Sequence, residues 1–287
     1  MVKWLSVGLA FALAACGQEA PAPTVPAAPR LEQLWRVSAL ANPESVALSH
    51  DGTFLYVTNV NGEGDAQDGN GFISRVSLEG QILEREFATG LDAPKGIMVG
   101  GDALYVADVD EMVVLDAQTG VIRRRVPAPG ARFLNDLTFA PDGQVLIADS
   151  GGARIYAIRS DTAEVWLEHE LLDSINGFLP EPQRLLATTM AGRLLAIDYE
   201  SRAITVLADG LGNADGIAPL AEGRYLVSEW PGLMHVVSTA DGSHETIMDT
   251  RGEERFLNDF LLVGDVLYQP HWEPSELTAY RVVQGSP

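Results

Sequence analysis

The pentapeptide Arg132-Phe133-Leu134-Asn135-Asp136 recurs letter for letter as Arg255-Phe256-Leu257-Asn258-Asp259, 123 residues downstream. Looser copies, each a polar residue ahead of a short apolar run, begin at Glu44, Lys95, Asn176 and Asp215. The six anchors Glu44, Lys95, Asn135, Asn176, Asp215 and Asn258 follow one another at steps of 51, 40, 41, 39 and 43 residues. A fixed period of this size marks a repeat architecture, in which each unit is one supersecondary element that buries its faces against its neighbours.

Each repeat is written to one recipe. A short apolar strand leaves the anchor and meets a turn such as His50-Asp51-Gly52 or Pro141-Asp142-Gly143. There Gly accepts positive φ and Pro presets the first turn angle. A second strand follows (Phe54–Val57, Val145–Ile147, Tyr225–Val227), then a third, and in five repeats a fourth. Strand length, β-branched enrichment and turn chemistry argue for strands and against helices. Four antiparallel strands in each of six repeats predict an all-β, six-bladed β-propeller over residues 31–287. The sixth repeat ends after its third strand, Glu276–Val282, so Leu31–Ser38 is expected to supply the missing outer strand and close the ring.

In an antiparallel blade the start of the first strand and the end of the second share a face. The six anchors therefore converge around the central channel. Asn59, Asp108, Asp149, Glu229 and His271, at the second-strand ends, are expected beside them. Convergent carboxylate and carboxamide oxygens suit a hard divalent cation such as Ca²⁺. Turn formation alone does not explain Glu44 and Lys95 at this register. The long first step is taken up by Asn59–Gly71, read as a surface loop over the rim of the site; its Asp65, Asp68 and Asn70 do not have EF-hand spacing.

These residues resemble the gluconolactonase/regucalcin family of six-bladed propellers and, more distantly, paraoxonases. The resemblance runs from about Leu31 to Val282. It rests on Glu44, on Asn135-Asp136, on Asn176-Gly177 and on Asp215-Gly216. It implies one divalent metal, most readily Ca²⁺ with Mg²⁺, Mn²⁺ or Zn²⁺ as alternatives, held by Glu44, Asn176 and Asp215. Asn135, and by its place in the ring Asn258, would lie near that metal. The implied activity is metal-dependent hydrolysis of a small lactone or ester, with Asp215 as the base and Asn135 contacting substrate. There are departures. Pro43-Glu44-Ser45 stands for Glu-Gly-Pro. Phe133 occupies the place of the substrate-gripping arginine, leaving Arg132 one residue further back as the candidate. Leu186-Ala187-Thr188-Thr189 replaces Tyr-Val-x-Asp. His271, beside Trp272, is the one histidine placed to view the site and is a second candidate base. No Gly-x-Ser-x-Gly elbow and no His-x-x-x-His pair is present. The alternative is a non-enzymatic propeller that binds a ligand or protein partner around a structural metal.

The net charge of −21 argues against a nucleic-acid partner, which would want a basic face. Lys3 and the short apolar run Trp4–Ala12 precede Leu13-Ala14-Ala15-Cys16-Gly17, which resembles a bacterial lipobox. Residues 1–15 then read as a signal peptide and Cys16, the only cysteine, as a lipidation site. The Pro/Ala-rich residues 16–30 form a tether. By that resemblance the expected address is the cell envelope, the outer membrane facing the periplasm. The expected protein is a monomer that meets the membrane through its lipid and takes a small-molecule partner. Replacing Cys16 by Ser is expected to release the protein from the membrane fraction and change its gel mobility; an unchanged distribution contradicts the lipobox reading.

Overall fold

The computed structural model describes residues 1–2 and 27–285. Lys3, the apolar run, Cys16 and most of the tether lie outside the described residues. The chain from Arg30 forms six four-stranded antiparallel sheets. Blade 1 runs outward as Pro43–Leu48, Phe54–Asn59, Gly71–Ser77 and Ile82–Leu91. The inner strands of blades 2 to 5 are Pro94–Gly100, Leu134–Phe139, Ile175–Pro180 and Asn213–Ala221. Blade 6 is Leu261–Val263, Val266–His271 and Glu276–Val283, completed by Arg30–Val37. The closing pair is the expected one, with Leu31 opposite Val282 and Val37 opposite Leu277. Helix among the described residues is limited to three single 3₁₀ turns, Ser150–Gly152, Glu170–Leu172 and Arg251–Glu253.

Local chemistry explains the hairpins. In Pro141-Asp142-Gly143, Gly143 N donates to Ala140 O at 2.8 Å and Gln144 N donates to Asp142 Oδ1 at 3.0 Å. Gly143 takes φ +83°, which a side chain would strain. The core lies between blades rather than within them. Leu134, Leu137 and Ile147 of blade 3 pack on Met112, Val114 and Val126 of blade 2. Across the closure, Leu55, Val57 and Val76 of blade 1 meet Tyr268, Leu277 and Ala279 of blade 6. Trp35 of the N-terminal strand reinforces that seam, its Nε1 donating to Leu78 O at 2.8 Å and its ring 6.0 Å from Tyr268.

The feature that positions the site is a break in the inner ladder. In blades 1 to 5 the register shifts around the anchor, leaving Glu44-Ser45, Lys95-Gly96, Asn135-Asp136, Asn176-Gly177 and Asp215-Gly216 out of the pairing. Blade 6 has an isolated bridge, Leu257 to His271, before its strand resumes at Leu261. Buried backbone amides freed by such a bulge need other acceptors. The amides of Ser45, Gly177 and Gly216 donate to buried hydroxyls on the second strand, Thr58 Oγ1 (2.9 Å), Thr188 Oγ1 (2.9 Å) and Ser228 Oγ (2.8 Å).

Deleting residues through Ser38 exposes the outer edge of Glu276–Val283 and removes the Trp35 tie. The truncated chain is expected to lose its cooperative thermal transition or to associate through the bare edge. Calorimetry and size-exclusion chromatography read this directly; a truncated monomer with an unchanged melting point contradicts the closure argument.

Candidate functional site

All six anchors are brought together. Glu44, Lys95, Asn135, Asn176, Asp215 and Asn258 are 5% exposed or less and line one axial cavity of about 350 Å³. Its wall and mouth are Phe133, Met190, Trp230 and Trp272, with Gly64 and Asp65 of the long blade-1 loop. Trp230 and Trp272 meet edge to face at 6.2 Å, and Gly64 lies against Phe133 and Trp272 at the rim. Asp68 and Asn70 are turned on each other in that loop, Asn70 Nδ2 donating to Asp68 Oδ2 at 2.6 Å.

Three anchor oxygens are buried without a hydrogen-bond partner: Glu44 Oε2, Asn176 Oδ1 and Asp215 Oδ1. Orphaned acceptors of this kind are costly unless a ligand, ion or proton satisfies them. Two of the remaining anchors are held. Asn258 Nδ2 donates to Pro43 O at 2.9 Å, and Lys95 Nζ donates to Ala93 O at 3.1 Å while lying 4.1 Å from the Phe133 ring centre. No cluster of three or more His, Cys, Asp or Glu in metal-holding array occurs among the described residues. The ring's donors are two carboxylates together with carboxamides.

The residues that follow the anchors build a second tier. Asp136 Oδ2 accepts Phe178 N at 2.6 Å, Asp136 Oδ1 accepts Leu137 N at 2.7 Å, and Asp259 Oδ2 accepts Ser45 Oγ at 2.6 Å. Both aspartates open into a cavity of about 220 Å³ at the opposite mouth, among Ile97, Leu137, Phe178 and Ile217. Four carboxyl groups thus share the channel, and burial is the first cause of every shift. The Glu44 carboxyl is raised well above the usual range by burial, then by Asp215, Asp259 and Asp136, with Lys95 opposing. Asp215 is raised by burial and by Asp259, against the Asn176 amide. Asp136 is raised by burial and by Asp259, against its backbone donors. Asp259 is pushed up to about 6, against its Ser45 bond. Lys95 is pulled down to about 8 by burial, partly offset by Glu44, Asp108 and Asp65.

The expected second-strand residues do not face this cavity. Asn59 Oδ1 accepts Ala41 N, Asp108 accepts the amides of Asp92 and Ala93, and Asp149 accepts those of Arg132 and Phe133. Each clamps the loop that leads into the inner strand of its own blade. Glu229 pairs with His235 at 2.7 Å. His271 is fully buried behind the wall, its Nε2 at 3.1 Å from Thr278 Oγ1, and burial with Arg255 and Arg36 nearby drives it down to about 3. Arg132 lies outside the cavity lining. The reason is the period of two along a strand: the next residue in line has the opposite face. After Glu229 and His271 that next residue is Trp230 and Trp272, so these two aromatic wall residues were present in the sequence one position beyond the polar residues singled out. A larger groove of about 630 Å³ between blades 3 and 4, with Arg159, Trp166, Tyr199 and Arg202, opens on the other face and does not join the ring.

The raised carboxyls set the sign of the pH dependence. The native state holds protons that the unfolded chain has released, so stability is present below about pH 4 and is lost as pH rises through the folded values, about 6 for Asp259. In chelator, the melting temperature is expected to fall between about pH 5 and 7.5, and Asp259→Asn is expected to flatten that fall. A scan of melting temperature against pH that rises over this window contradicts the electrostatics described.

No protein-family model and no curated protein matches the chain. Among solved structures it is similar to virginiamycin B lyase from Staphylococcus aureus, with a TM-score of 0.64 at 13% identity over 87% of this chain and 99% of that one. A catalytically inactive variant of that lyase with quinupristin gives 0.59 at 13%, over 87% and 99%. A streptogramin B lyase structure gives 0.64 at 13%, over 88% and 98%. At this identity the likeness establishes the propeller fold and nothing about chemistry.

Proposed function

We propose that the axial ring holds one divalent cation, most readily Ca²⁺, through Glu44, Asn176 and Asp215, and that the protein hydrolyses a small lactone or ester there. The observation that carries the reading is the set of three orphaned oxygens on those same residues, buried at the floor of one cavity. They fit a hard cation, which takes carboxylate and amide oxygens. Asn135 and Asn258 complete the oxygen-rich ring. The gluconolactonase-like motifs support the same assignment, and the lyases above are enzymes on the same fold.

When bound, a divalent cation polarises a carbonyl and stabilises negative charge on its oxygen. The chain supplies the rest. The Asn135 amide orients the substrate, and Phe133, Trp230 and Trp272 hold its apolar part and limit water. Asp215 takes the proton of the attacking water; His271 has no path to the cavity. Arg132 meets only a substrate group that projects beyond the mouth. We place the protein at the cell envelope through Cys16. Arg30 enters blade 6 where Val283 leaves it, on the face opposite the anchors, so a lipid tether would aim the mouth away from the bilayer.

Elemental analysis and a chelator-sensitive assay across lactones, aryl esters and phosphotriesters test the proposal. Saturating Ca²⁺ is expected to raise the melting temperature by mass action. Asp215→Asn is expected to lose about 10²–10⁴ in rate even at high metal, the usual contribution of a general base. Absence of co-purified metal, of a thermal shift with Ca²⁺, Mg²⁺, Mn²⁺ or Zn²⁺, and of chelator-sensitive turnover would leave the ring as a ligand-binding site without this chemistry.

A further inference from the structure

The chain carries nineteen cationic side chains, of which seventeen are arginine and two are lysine. Lys3 lies in the leader, so the propeller has one lysine, Lys95. Arginine serves the whole surface. It pairs with carboxylates from Arg30 to Arg281 and stacks on rings, as Arg202 does over Trp166 at 3.9 Å. The single lysine is 2% exposed and lies in the axial cavity, on the inner strand between those that carry Glu44 and Asn135. Its Nζ has one hydrogen-bond acceptor, Ala93 O, and an aromatic face, Phe133. No carboxylate of the described residues forms an ion pair with it.

Charge alone does not account for this choice. A guanidinium is more weakly hydrated, presents a fixed fork of donors, and is the better residue for a buried cation or for gripping an oxyanion. What an amine has and a guanidinium lacks is a nitrogen that attacks carbon, and a lysine withdrawn from water into an apolar pocket is the usual form of that nucleophile. Besides Phe133, the apolar lining of this cavity of about 350 Å³ is Met190, Trp230 and Trp272, which share it with the polar anchors. That space takes a molecule somewhat larger than one aromatic ring.

We propose that Lys95 is a nucleophilic amine that captures an apolar or aromatic aldehyde or ketone in the axial cavity as an imine. The Nζ lone pair forms the N–C bond as the carbonyl π pair moves to oxygen, and proton transfer from nitrogen to that oxygen gives the carbinolamine. The proton that the Lys95 ammonium gave to solvent before the attack returns from solvent to the carbinolamine hydroxyl, and water leaves while the nitrogen pair forms C=N. The products are the protonated imine and one water; nothing is oxidised or reduced. The proposal needs no metal and is independent of the hydrolase reading.

The test is reductive trapping. The folded protein is incubated with benzaldehyde and sodium cyanoborohydride, which delivers hydride to an imine carbon, and benzylation is mapped by peptide mass spectrometry. The α-amine of the same sample, together with Lys3 where the leader is retained, gives the reactivity of an exposed amine. The expected result is benzylation of Lys95 at least tenfold faster than those amines and faster than Lys95 in urea-unfolded protein. Lys95→Arg, which keeps the charge, should show no adduct in that peptide. Lys95 reacting more slowly than the exposed amines, or at equal rates folded and unfolded, would falsify the proposal, and this comparison stands on the wild type even where the variant fails to fold.

Discussion

The interruption of the inner ladder at one dipeptide per blade is the constraint on which the rest of this structure depends. A propeller's innermost strands surround a narrow axis, where paired backbones leave side chains little room to converge. Opening the register at Glu44-Ser45, Lys95-Gly96, Asn135-Asp136, Asn176-Gly177 and Asp215-Gly216 turns one side chain per blade toward the mouth. Thr58, Thr188 and Ser228 replace the lost ladder partners, so the bulges do not leave those amides unpaired. The second residue of each pair faces the next blade at contact distance. At Gly177 a Cβ would strike the Asp215 carbonyl, and at Gly216 it would lie 2.6 Å from Asp259 Oδ1. Glycine there is a condition of closing the ring.

Where the second residue is not small it is aspartate, and this happens twice. Three repeats of about 41 residues separate the identical pentapeptides, which places Asp136 and Asp259 on opposite sides of a six-bladed ring. With Glu44 and Asp215 above them, four carboxyl groups face one channel that holds a single lysine. Desolvation outweighs the local donors at all four, since each is raised although Asp136 and Asp259 accept good hydrogen bonds. The pentapeptides themselves diverge in use: Arg255 pairs with Glu276 at 3.0 Å and Phe256 packs on Trp230, whereas Arg132 stays outside the cavity and Phe133 lines it.

The blade count, the strand order, the closing partner and the convergence of the six anchors were all legible in the chain. All of these follow from a repeat period and from the rule that antiparallel neighbours return to the same face, and both are local in the chain. Which neighbours of the anchors face the axis is settled by the packing of the blades. Asn59, Asp108 and Asp149 end the second strands of their blades, yet they clamp their own entry loops and do not face the cavity. Trp230 and Trp272 take the places that the adjacent Glu229 and His271 were expected to fill. The environment of Lys95 was equally unreadable from spacing: its want of a directly paired carboxylate and its seat on Phe133 depend on how two adjacent blades pack, and that depends on distances between strands some forty residues apart.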